Sequence, residues 1–186
     1  MSRIIFSKKD IMNAASRIGK QLTKELKNDK RIPVAVGIMK GSLNFMNDLI
    51  GCIDRYIFTD YIQVSSYSGT KTTGKVILKR DLSIDVKDRT IILIEDVIDT
   101  GISMNYLLDF LKDRYHPKRI ILVALFDKTY RRKIPVHIDY VGKVLKDDDF
   151  LLGYGLDYCE IGRNLPEVRG LNAEDIHKID LLLRND

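Results

Sequence analysis

Three stretches of the chain are apolar almost without a break. Pro33–Met39 reads P-V-A-V-G-I-M, Ile91–Ile94 reads I-I-L-I, and Arg119–Phe126 reads R-I-I-L-V-A-L-F. Runs this short, bounded by loop residues, predict strands covered on both faces, as in a parallel sheet. Tyr56–Val64, Lys75–Arg80 and Ile138–Val144 predict further strands. Between them the apolar period lengthens. Ile11, Ala14, Ala15, Ile18, Leu22 and Leu26 make one face of a helix over Ser7–Asn28, opened by a capping pair, Ser7 and Asp10. A second helix is predicted over Ser42–Cys52. A third starts after Gly101, with Ile102, Tyr106, Leu107 and Phe110 as its apolar face, and ends near Tyr115-His116-Pro117. Ala173–Arg184 closes the chain as a helix with Ile176, Ile179, Leu182 and Leu183 inward. Strands alternating with helices predict one α/β domain with a mainly parallel central sheet flanked by helices.

The chemistry gathers where the run Ile91–Ile94 stops. Glu95 and Asp96 end it, and Asp99, Thr100, Gly101 and Ser103 follow before helical spacing resumes. This is strand, acidic loop, helix, with the loop at the carboxyl end of a central strand, where open α/β sheets place ligands. Thr100, Gly101 and Ser103 suit an anion: a helix N-terminus offers free N–H groups, glycine allows close approach, and hydroxyls add donors. Three carboxylates beside a phosphate would repel it, unless they accept hydrogen bonds from sugar hydroxyls or move a proton. A phosphorylated sugar satisfies both halves. The plainer alternative is a solvated loop in which Asp99 or Thr100 caps the helix.

Lys40-Gly41-Ser42 repeats the arrangement after Pro33–Met39. It matches neither the P-loop pattern nor a dinucleotide fingerprint. Beside the first loop on a parallel sheet it becomes a second anion cradle. Lys128 follows the strand Arg119–Phe126, either as a surface lysine or as a donor aimed into the crevice. Phe150 reads as core and Asp157 as a loop acid when each is taken alone.

Four motifs in order change that reading: M-K-G-S at 39–42, S-S-Y-S-G-T at 65–70, I-E-D-V-I-D-T-G-I-S at 94–103 and F-L-L-G-Y-G-L-D-Y at 150–158. Together they resemble the type I phosphoribosyltransferases, and the second and fourth resemble their 6-oxopurine branch, the hypoxanthine-guanine phosphoribosyltransferases. The resemblance covers nearly the whole chain. It implies a small hood over the ligand, built from terminal segments including about 145–170. It implies transfer of a 5-phosphoribosyl group from phosphoribosyl pyrophosphate to a 6-oxopurine. For that reaction, Glu95 and Asp96 would hold the ribose hydroxyls, directly or through metal, and Thr100, Gly101 and Ser103 the 5-phosphate; Asp99, one helix start away from both groups, would be the general base. Lys40, Gly41 and Arg163 would bind pyrophosphate, and the Lys40–Gly41 peptide can be cis in this family. Ser66 and Tyr67 would belong to a lid. Lys128 would meet the purine's exocyclic oxygen, Phe150 would stack on the base and Leu151 would offer it main-chain groups. Asp157 would hold Mg²⁺. Ile102 stands where some members carry a lysine, so the phosphate grip would rest on backbone N–H groups and hydroxyls.

Composition adds limits. A chain of 186 residues suits one domain. Lys and Arg outnumber Asp and Glu by 31 to 26, a net charge of +5. That suits a polyanionic small substrate or a nucleic acid, but the basic residues are scattered as on an ordinary solvated surface. Cys52 and Cys159 are far apart and read as reduced thiols of a cytoplasmic protein. His116, His137 and His177 lack ligand spacing, so zinc is not expected. The N-terminus has no apolar signal core and no apolar run nears ~18 residues, so no membrane segment is expected. A nucleic-acid-binding regulator that senses phosphoribosyl pyrophosphate on the same fold is the rival reading. No appended DNA-binding module is seen, and the expected partners are small molecules and, by resemblance, further copies of the chain in a dimer or tetramer.

Overall fold

Each unbroken apolar run becomes a strand with both faces covered. The computed structural model describes residues 3–66 and 76–184. Its elements are β1 (Arg3–Phe6), α1 (Lys8–Glu25), β2 (Val34–Ile38), α2 (Leu43–Ile50), β3 (Phe58–Ser66), β4 (Val76–Arg80), β5 (Thr90–Ile98), α3 (Ile102–Tyr115), β6 (Arg119–Asp127), β7 (Tyr140–Val144), β8 (Phe150–Leu152), β9 (Val168–Leu171) and α4 (Ala173–Arg184). Six strands form the main sheet in the order β4-β3-β2-β5-β6-β7. All pair in parallel except β4, which runs antiparallel on the edge beside β3.

Alternation along β5 sorts its side chains between two cores. Ile92 and Ile94 pack with Ile11 and Ile18 of α1 and Phe45 and Leu49 of α2. Ile91 and Leu93 face the other way, onto Met104, Leu107 and Leu111 of α3. Each fully buried isoleucine or leucine contributes roughly 1.5–3 kcal/mol relative to exposure. α1 is held at its start by the expected capping box: Ser7 Oγ accepts from Asp10 N, and Asp10 accepts from Ser7 N.

Connectivity places the site. β2 leads through α2 to β3 on one side, whereas β5 leads through α3 to β6 on the other. The chain therefore switches direction between β2 and β5, and the crevice outside their carboxyl ends is where such sheets bind ligands. The loops after these two strands are Lys40–Ser42 and Asp99–Gly101.

Several sequence expectations shift. β5 does not stop at Glu95 and Asp96 but continues to Ile98, with Glu95 in register opposite Ala124 of β6. β6 gives Glu95, Val97 and Ile98 ladder partners, so both acids stand within a strand. α3 buries Met104, Leu107 and Leu111, while Tyr106 stays exposed and Ile102 and Phe110 only half-buried. The inward face is rotated from the one predicted because Met104 and Leu111 also belong to it. α4 lies shallow against the fold: Leu182 is 68% exposed and no residue of the helix is buried. A second sheet, antiparallel in the order β1-β9-β8, was not expected strand by strand. β1 and β8 are its edge strands.

Candidate active site

Two adjoining cavities open at the switch between β2 and β5. The larger, about 300 Å³, is lined by Ile38, Met39, Lys40, Gly41, Val64, Glu95, Asp96, Ser103, Asp157 and Arg163. The smaller, about 190 Å³, is lined by Glu95, Val97, Ile98, Asp99, Thr100, Gly101, Ser103 and Met104. Glu95 and Ser103 belong to both. Hollows of about 540 Å³ beside α3 and about 350 Å³ between β1 and β7 lie elsewhere; of the predicted residues only Leu151 lines one of them.

The smaller cavity is a helix N-terminus. Gly101 is the N-cap residue of α3, with φ +81°, a conformation that costs glycine little. A Cβ there would also overlap the carbonyl of Ile134. No side chain caps this end in the usual way; Thr100 Oγ1 accepts only a long bond, 3.4 Å, from Ile102 N. The capping alternative weighed for Asp99 is thus not realised, and the first turn presents its N–H groups to the cavity. Asp99 instead sits 3.2 Å from Arg131 Nε.

The larger cavity carries both charges. Gly41 presses so closely on Asp96 that a Cβ would overlap the carboxylate. The cis peptide of this loop is Met39–Lys40, one bond before the Lys40–Gly41 bond that the resemblance implies. Lys40 Nζ donates to Glu160 Oε2 at 2.8 Å. Arg163 reaches Asp157 Oδ1 at 2.8 Å and Glu160 Oε2 at 3.2 Å, and donates to Gly155 O. Its Nε is buried with no partner among the described residues, a donor left for an anion. Burial, then the neighbouring Asp96, holds the Glu95 carboxyl well above the usual carboxylate range. Burial also pushes Asp96 up to about 6, against the pull of Arg163.

Glu95, Asp96 and Asp157 give the cleft an all-oxygen donor set. Among the described residues, no three His, Cys, Asp or Glu are grouped to hold a metal by themselves. Such a set suits a hard ion that keeps its waters and shares substrate oxygens, and does not suit a structural zinc.

Lys128 stands beside the smaller cavity. Lys128 N donates to Ile98 O, next to Asp99. The residue is only 6% exposed, and Nζ donates to Asp149 O at 2.9 Å. Phe150 is 43% exposed, its ring held edge-on by Tyr158 at 5.4 Å, so it is not core. Leu151 pairs with Gly170 inside the small sheet, and among the described residues β8 has β9 as its one strand neighbour. Ser66 ends β3, and Tyr67 lies outside the described residues.

A family model for the phosphoribosyl transferase domain matches residues 5–158. The chain is 38% identical over 175 residues to the hypoxanthine-guanine phosphoribosyltransferase of Staphylococcus aureus, covering 94% of this chain and 96% of the relative. The chain belongs to the hypoxanthine-guanine phosphoribosyltransferases.

A crystal structure of the Staphylococcus aureus hypoxanthine phosphoribosyltransferase matches this fold with a TM-score of 0.86 at 39% identity, covering 92% of each chain. The bifunctional protein TilS/HprT of Listeria innocua is 39% identical over 175 residues; the match covers 94% of this chain but spans only 26% of that protein's length. Further contacts join the predicted residues to neighbours that were not assigned a role from sequence. Arg131 joins Asp99 to Asp148, at 3.2 and 3.3 Å. Asn44 Nδ2 donates to Arg163 O. Glu160 bridges Lys40 and Arg163. Glu160 was visible between Asp157 and Arg163, but nothing in a loop sequence shows which way a carboxylate turns.

Among the described residues no helix is long and apolar enough to cross a membrane.

Proposed function

We propose that this chain is a purine salvage enzyme that transfers the 5-phosphoribosyl group from phosphoribosyl pyrophosphate to N9 of hypoxanthine or guanine, giving IMP or GMP and pyrophosphate. One observation carries it: a helix N-terminus, a pair of carboxylates and a pair of cations stand in that order across two adjoining cavities. A ribose with phosphate at both ends has the complementary order. The names of the relatives support the same reading, and favour it over a nucleic-acid-binding regulator.

In this reading Thr100, Gly101 and Ser103 grip the 5-phosphate with N–H groups and hydroxyls. Glu95 and Asp96 accept from the ribose hydroxyls. Lys40 and Arg163 take the departing pyrophosphate, whose charge grows as the glycosidic bond breaks, and their contribution is electrostatic. Asp157, with substrate oxygens and water, would hold Mg²⁺, which when bound supplies positive charge to the leaving group. Asp99 accepts the N7 proton of the base. Lys128 donates to the 6-oxo group, Phe150 stacks on the ring, and main-chain groups of β8 at Leu151 meet the purine's rim. The β1-β9-β8 sheet is the hood. Ser66 and Tyr67 belong to a lid that shields the reacting sugar from water. A homo-oligomer, dimer or tetramer, and a cytoplasmic setting complete the reading; the two cysteines are unpaired, as a reducing compartment would leave them.

The test is product identification. Incubation with phosphoribosyl pyrophosphate, Mg²⁺ and hypoxanthine or guanine should yield the nucleoside monophosphate and one equivalent of pyrophosphate. Hydrolysis of the substrate without nucleotide would overturn the assignment.

A further inference from the structure

Glu160 has no part in the transfer as described, yet it holds both cations of the pyrophosphate side. Lys40 Nζ and Arg163 Nη2 converge on the same oxygen, Oε2, at 2.8 and 3.2 Å. Its backbone is set for this. Cys159 and Glu160 are consecutive non-glycine residues at φ +50° and +68°, left-handed conformations that cost side-chain-bearing residues energy and gather at functional sites. The Glu160 N–H donates to Asp157 Oδ2, which fixes the turn.

Of the described carboxylates around the larger cavity, Glu160 is the least held. Asp157 is pinned by Arg163 on one oxygen and by Glu160 N on the other. Asp96 is wedged against Gly41, and Glu95 stands on β5. The Glu160 side chain is 65% exposed and can swing into water without breaking any other contact.

We propose that Glu160 competes with the diphosphate for Lys40 and Arg163, and so sets how tightly the site holds this group and how fast it lets it go. The inference rests on the functional reading above. A diphosphate on the same two cations repels the Glu160 carboxylate, which adds to the anionic Asp157 already on Arg163, so diphosphate binding favours its departure. When the diphosphate leaves, the carboxylate returns to the same donors, which keeps them from being left unpaired. Both ion pairs are partly solvated, so the effect on affinity is modest, roughly three- to tenfold.

The test is binding of pyrophosphate with Mg²⁺ to the full chain by calorimetry, in the wild type, Glu160→Gln and Glu160→Ala. Glu174→Gln, an exposed change on α4, serves as control. The expected result is three- to tenfold tighter pyrophosphate binding in both Glu160 variants, a slower off-rate, and a gap that narrows at high salt. A gain of affinity is not what a damaged turn produces, and the amide variant preserves the shape. If the wild type binds pyrophosphate and the Glu160 variants bind it equally or more weakly, competition by Glu160 is wrong. If the wild type binds no pyrophosphate at all, the functional reading falls, and this inference with it.

Discussion

Gly41 and Asp96 are packed so closely that the first has no room for a side chain: a Cβ on Gly41 would overlap Asp96 Oδ2. The contact joins the loop after β2 to the end of β5, across the point where the sheet changes direction. Gly41→Ala must push the Asp96 carboxylate or the loop out of place. Overpacking of this kind costs about 1–3 kcal/mol. The expected outcome is a KM for phosphoribosyl pyrophosphate raised about tenfold or more, with the far-UV circular dichroism unchanged. An unchanged KM would mean the loop gives way freely.

Asp99 is the residue assigned to proton transfer. It stands at the foot of α3, and its nearest cation is Arg131. Asp99→Asn keeps size and shape but removes the base. Turnover should fall ~10²–10⁴-fold, while the Kd for phosphoribosyl pyrophosphate moves little. Near wild-type turnover would take Asp99 out of that role.

Lys128 offers only donors. A 6-oxo group accepts, whereas adenine's 6-amino group donates and leaves the buried ammonium mispaired. Lys128→Ala also loses the bond to Asp149 O and some stability. The informative quantity is therefore the ratio of kcat/KM for hypoxanthine over adenine, not the rate. That ratio should collapse toward one, from a value that can reach ~10⁴ when a buried polar partner is at stake. Retention of the wild-type ratio would refute the assignment.

Much of this was readable from residue order because the relevant signals are local. Unbroken apolar runs mark strands covered on both faces, as at Val34–Ile38 and Ile91–Ile94, and Ser7 with Asp10 marks a helix start. The site loops carry their chemistry in a few adjacent residues, so Glu95, Asp99, Thr100 and Ser103 were found together. What stayed hidden depends on distant partners. β1 is four residues, half of them exposed, and exists because it pairs with β9 at the other end of the chain. β5 runs past its apolar stretch because β6 extends alongside. The turn of Glu160 toward Lys40 crosses 120 positions of sequence, and no periodicity encodes it.

A second network, away from the site, predicts the acid response of stability. Asp29 follows α1 and accepts from Lys118, Thr90 and Arg119. Burial alone would raise its pKa, but these donors win and lower it from 3.8 to about 2. A carboxyl depressed in the folded state stabilises above its unfolded pKa and loses that contribution as pH falls through the folded one. Asp29→Asn should therefore cost about 2 kcal/mol at pH 7. The cost should shrink between pH 4 and pH 2, as followed by urea unfolding. A cost independent of pH would mean that the network acts by shape rather than charge.

The most direct test of the whole account is base selection by the wild-type chain. With Mg²⁺ and saturating phosphoribosyl pyrophosphate, kcat/KM is measured for hypoxanthine, guanine, adenine and uracil. Nucleotide should form with hypoxanthine and guanine, and the values for adenine and uracil should be lower by orders of magnitude. Comparable rates with adenine, or no nucleotide from any 6-oxopurine, would contradict it.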